Sequence, residues 1–150
     1  MMKRLYYYII GVGLLLMAAC DIESSDNGDL DGFWQLRSVD TLATGGTTDM
    51  RSSQITWAIQ GTLLETRLAT SYDYRRDILF RFEHTADALT LRSPYLSQRD
   101  SGDIKVEMKD IELLRPFGIN KLEERFRVLE LNSDAMTLES EWLRLWFRKY

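Results

Sequence analysis

Few side chains in this sequence have chemistry to offer. Cys20 is the only cysteine and His84 the only histidine among 150 residues. A lone thiol closes no intramolecular disulfide, so Cys20 is either a point of covalent attachment or an incidental cysteine of an uncleaved signal anchor. A lone imidazole excludes any multi-histidine metal centre. His84 ends "ILFRFEH" on the face of Phe80 and Phe82, either at the surface of a strand end or as a hydrogen-bonding group of a pocket. Glu65, Glu83 and Glu107 have no spacing that defines a catalytic pair, since carboxylate separation is a tertiary property. No Gly-rich phosphate loop, zinc motif or nucleophile elbow occurs. The expectation is therefore no catalytic residue, metal or cofactor, and no enzyme. Trp142, Arg144, Trp146 and Arg148 share one face if the last segment is a strand. Such residues suit a partner site; equally, Arg stems can cover tryptophans at a seam.

Cys20 is best understood from what precedes it. Lys3 and Arg4 begin the chain, and Leu5 to Ala19 is an uncharged run of about fifteen residues. A spanning helix needs about twenty. A secretory signal has a basic start, a shorter apolar core and small residues at the cut. Met17-Ala18-Ala19-Cys20 resembles the lipobox of bacterial lipoproteins, with Met17 where that family usually has Leu. The resemblance implies a diacylglyceryl group on the Cys20 sulfur, cleavage before it and acylation of the freed amine. Two or more acyl chains anchor stably. The resemblance thus implies a leader over residues 1–19 and a mature protein anchored in the cell envelope, at the outer membrane.

Residues 20–31 read as an acidic tether. Asp21, Glu23, Asp26, Asp29 and Asp31 meet no base before Arg37, and too few apolar side chains are present to fold. The acidic run is also similar to surface-export signals of Bacteroidota lipoproteins. Losing Lys3 and Arg4 takes the net charge from −4 to −6. That balance argues against a nucleic-acid partner.

From residue 32 to 150 the pattern is period two, broken by turn residues. "FWQLRSVDTL", "QITWAIQ", "TLLETRLA", "ILFRFEH", "ALTLRS", "IKVEMK", "RFRVLELN" and "MTLESEWLRLWFRK" make about eight strands. "TGGTTD" and "SYDYRRD" read as loops, and Asn132-Ser133-Asp134 as a hairpin turn. Strict sequential order predicts one up-and-down antiparallel β-barrel, closed by the first strand on the last. Between residues 104 and 129, spacing near 3.6 competes, so one short helix around 108–124 is an alternative. Short strands with a charged face, as in "RFRVLEL", exclude an integral outer-membrane barrel.

Gly32-Phe33-Trp34 resembles the Gly-x-Trp that opens the first strand of lipocalin-like barrels. The C-terminal segment from Glu124 onward is similar to small lipocalin-like lipoproteins of Bacteroidota. The resemblance implies that a basic residue of the last strand packs across Trp34; Arg144 and Arg148 are the candidates. Alternation points Trp34, Ile55, Trp57, Phe80, Phe82 and Leu91 inward. They line a cavity for a small apolar ligand, or they are a solid core. The expected function is binding, of such a ligand or of an envelope protein. The alternative is an accessory subunit of an envelope complex with a filled barrel.

Overall fold

The structure, a computed structural model, describes residues 25–68, 77–98 and 101–150. The leader, Cys20, the start of the tether and nearly all of "SYDYRRD" lie outside the described residues. Ten strands are present among those described: β1 (Gly32–Thr41), β2 (Gly46–Asp49), β3 (Ile55–Gln60), β4 (Leu63–Leu68), β5 (Ile78–His84), β6 (Ala88–Leu96), β7 (Ile104–Lys105), β8 (Glu124–Leu131), β9 (Ala135–Glu139) and β10 (Leu143–Lys149).

Eight of them form a closed circuit, β1-β3-β4-β5-β6-β8-β9-β10, with β10 returning to β1. Every pairing is antiparallel. This is the expected up-and-down barrel. Closure leaves no long sheet edge open, because Trp34 to Thr41 pairs along Lys149 to Leu143. The strands bend where their registers slip, at Leu36/Ser38 of β1, Leu79/Arg81 opposite β6, and Val128/Glu130 of β8. Bulges of this kind let a twisted sheet close. In β6 the slip falls at Ser93, with φ 51°, beside Pro94. A proline is tolerated in a strand at such a place.

The eight strands are not the eight expected from the sequence. "IKVEMK" supplies only the two-residue β7, hung on the end of β6. The terminal segment, expected as one strand, is two. Ser140 turns it: its hydroxyl accepts the N–H groups of Trp142 and Leu143, and its own N–H donates to Leu143 O. "TGGTTD" is not only loop, since β2 pairs with Ser38–Thr41. It covers the part of β1 that extends beyond β3. In place of one helix around 108–124 there are two short 3-10 turns, Met108–Leu113 and Arg115–Phe117. Glu107 and Asp110 cap the first reciprocally. Pro116 and Gly118 stop the run from lengthening into an α-helix. Asn132 makes the predicted hairpin turn, its side-chain oxygen accepting from the N–H groups of Asp134 and Ala135.

Candidate functional site

The barrel interior is where a fold of this shape holds a ligand, so the six inward candidates come first. Trp34 pairs with Trp57 across β1 and β3, and Phe82 with Leu91 across β5 and β6. All six belong to one core or pack against it. Trp34, Ile55, Trp57, Phe80 and Leu91 are 0–2% exposed; Phe82 is half-buried. A side chain lining a void that admits a water-sized probe keeps accessible surface on that void, and these five keep essentially none. The contact across the barrel explains why. Trp57 on β3 meets Phe126 on β8, four strands away in either direction around the circuit, edge-on at 5.8 Å between ring centres. It also meets Phe147 at 4.9 Å. Opposite walls touch through these rings, so the five residues form a solid core. The Trp57 Nε1–H has no acceptor among the described residues; packing holds the ring.

At one end the barrel is shut by the tether itself. The 3-10 turn Gly28–Leu30 lies across it, with Leu30 fully buried. The Trp34 indole donates to Leu30 O at 2.7 Å, and Asn27 donates to Gly61 O at 2.7 Å. Folded packing therefore starts before residue 32. The cation over Trp34 is Lys149, not Arg144 or Arg148. Its Nζ sits 4.8 Å from the ring centre and donates to Asp29 O at 2.7 Å. The reason is parity. Lys149 is Trp34's direct partner in the ladder and shares the inward parity of Leu145 and Phe147. Arg144 and Arg148 alternate outward with Trp146. Gly32 has φ +130°, and a Cβ there would lie 2.6 Å from Lys149 Cε. The glycine of Gly-x-Trp is thus the space through which the lysine passes. The rule that Leu145 and Phe147 point inward already contained the signal for Lys149.

The other end is shut by the crossover from β6 to β8, a contribution the sequence did not reveal. Val106, Leu114, Phe117 and Ile119 all enter the core and are nearly or fully buried. Gly118, at φ +80°, lets the backbone press onto buried Leu145; a Cβ would lie 2.7 Å from Leu145 Cδ2. Glu124 ties the crossover down. Its carboxylate accepts the Asn120 N–H at 2.8 Å, and burial pushes its carboxyl above the ordinary range. His84, at the tether end, is half-buried, and burial pulls its imidazole pKa down.

The outer wall carries two apolar clusters. At the β1–β10 seam, Leu42, Trp142 and Trp146 are exposed, and Leu42 N–H donates to Trp142 O. Trp146 donates to the Asp40 carboxylate at 2.8 Å, and Lys121 lies 4.6 Å over the Trp142 ring. The hydrogen bonds from Thr47 and Trp146 hold Asp40 below the usual carboxylate range. Arg144 grips Glu139 through two nitrogens, and Arg127 pairs with the same carboxylate. The second cluster surrounds an open depression of about 1130 Å3 lined by Phe33, Ala58, Leu63, Glu65 and Leu79, among others. No group of three His, Cys, Asp or Glu side chains among the described residues is placed to hold a metal.

Comparison with known proteins adds to this geometry. The chain matches the family described as "Lipocalin-like domain" over residues 15–150. Two solved structures share the fold, each with a TM-score of 0.58. One is a lipocalin-like protein from Bacteroides uniformis, 21% identical, covering 82% of this chain and 100% of that one. The other is an uncharacterized protein from Bacteroides eggerthii, 22% identical, covering 80% and 98%. The search of curated proteins found no match.

Proposed function

The chain belongs to the lipocalin-like domain family, and from that premise we propose that it is an exported, lipid-anchored protein of the cell envelope that binds a partner through the outside of a filled barrel. Lipocalin-like barrels are binding folds in general. The basic, apolar leader and Met17-Ala18-Ala19-Cys20 support export, lipidation at Cys20 and residence at the outer membrane. One observation carries the choice of surface over interior. Five of the six candidate lining residues are at most 2% exposed, and Trp57 and Phe126 touch across the barrel. The crossover residues Leu114, Phe117 and Ile119 fill the end opposite the tether. This favours the accessory-protein reading over capture of a small apolar ligand. For recognition, the exposed Leu42, Trp142 and Trp146 at the β1–β10 seam have the composition of an interface centre.

Native mass spectrometry of the protein extracted from membranes tests both halves. The expected species is the cleaved chain plus acyl mass, with no further small molecule bound. A stoichiometric apolar companion that survives extraction would overturn the surface reading. Cys20→Ala is expected to lose the acyl mass and the membrane association together. Membrane association unchanged in Cys20→Ala, with no acyl mass on the native chain, would sink the anchor.

A further inference from the structure

We propose that the outer face of β1, β3 and β4 around Phe33, Leu63 and Tyr150 rests on the same lipid bilayer that holds Cys20. This deepens the anchored reading above and rests on it.

Three observations converge. The first is a row of exposed apolar side chains interrupted by one ion pair, Glu65 with Arg67. Tyr150 N–H donates to Phe33 O, continuing the ladder in which Trp34 pairs with Lys149, so their side chains share the outer face. Phe33 pairs with Ala58, Ala58 with Glu65, and Glu65 with Leu79. Leu63, two residues before Glu65, lies on that face toward the tether end. Phe33 is 58% exposed, Leu63 43% and Tyr150 75%. Exposed large apolar side chains clustered on one face of a small barrel mark an interaction site.

The second is the place where the chain joins this face. Ser25 and Asp31 border the same depression as Phe33 and Leu63. Asn27 is already fixed to Gly61 O. Asn27 lies only seven positions after Cys20, a reach of at most about 25 Å. On the anchored reading the barrel is therefore held close to its anchor, and the chain enters the barrel beside this face.

The third is the composition of the border. Arg81 stands opposite Leu63 in the ladder, and Arg148 lies two residues before Tyr150 on the outer face. Aromatic rings flanked by long basic side chains suit the boundary between hydrocarbon and headgroups. Acyl chains supply residence on the membrane, and a shallow apolar face sets orientation at little further cost.

The experiment exploits the single native cysteine, whose sulfur is consumed by the lipid. Phe33→Cys, Leu63→Cys and Leu129→Cys chains each then carry one free thiol. Leu129 is an exposed residue of β8, on the opposite wall. Each chain is made lipidated, in phosphatidylcholine vesicles, and again with Cys20→Ala, in solution. A water-soluble maleimide reports access, and intact mass confirms acylation. On vesicles, labelling at positions 33 and 63 is expected to slow several-fold relative to the unanchored chains, while position 129 is unchanged. Equal labelling at all three positions of the acylated, vesicle-bound chain overturns the docked face and leaves the anchor standing. Slow labelling at 33 and 63 in the unanchored chains as well also overturns it, since a protein contact and not lipid then covers the face. Absence of acyl mass removes the anchored reading itself, and the docked face with it.

Discussion

At the scale of single residues, the shifts of two carboxyls, Glu139 and Glu124, carry opposite signs. Hydrogen bonds from Arg144, joined by those from Arg127, hold Glu139 below its ordinary value of 4.5. It therefore contributes stability above that value, and the contribution is lost as pH falls through the lowered one. Burial raises Glu124. Its neutral form suits the fold, so its contribution is full at low pH and is lost as pH rises through the raised value. Glu139→Gln is expected to cost about 1 kcal/mol at pH 7, with the difference closing on acidification below 4.5. Glu124→Gln keeps an acceptor for Asn120 and is expected to stabilise the protein more at pH 8 than at pH 4. Urea titrations of the three proteins across pH check both signs. The inward aromatics were legible at this scale because alternation in a half-buried strand is a strong signal. The resemblance implies only a basic residue of the last strand over Trp34, and Arg144 and Arg148 fit that as well as Lys149 does; ladder parity decides which cation can reach.

At the scale of elements, most strands announce themselves. The stretch from Ile104 to Leu122 does not. Its period-two and period-3.6 readings share residues, and neither wins. Short 3-10 turns follow the shape of what they cover, and here they cover the barrel end with Leu114, Phe117 and Ile119. Ser140 to Trp142 was hidden for another reason. The turn is made by one serine hydroxyl inside a run that reads as continuous strand. Gly118→Ala tests the crossover. Both the positive φ and the buried Leu145 oppose a Cβ, so a loss of about 1–3 kcal/mol is expected in chemical denaturation. An unchanged midpoint would mean that the crossover sits loosely on the barrel.

For the whole molecule, stability runs through the interior. Trp57 joins β3 to β8 and β10, so its removal unties opposite walls together. Trp57→Ala is expected to destabilise the protein by about 3–5 kcal/mol, read from thermal and urea unfolding. A residue that merely lined a ligand cavity would cost far less. The same packing fills the interior, and the proposed surface binding therefore draws on the exposed seam tryptophans and the Phe33 face.

The sequence by itself determined the strand-rich class, the sequential barrel and the inward parity of each strand. These are local properties of period and turn chemistry. It also carries the basic start, the uncharged run from Leu5 to Ala19 and the lone cysteine. Tertiary structure alone decided that the barrel is full. Whether inward rings enclose a cavity or meet depends on distances across the circuit and on how far the crossover and Leu30 reach in. Neither distance is written in the spacing of residues along one strand.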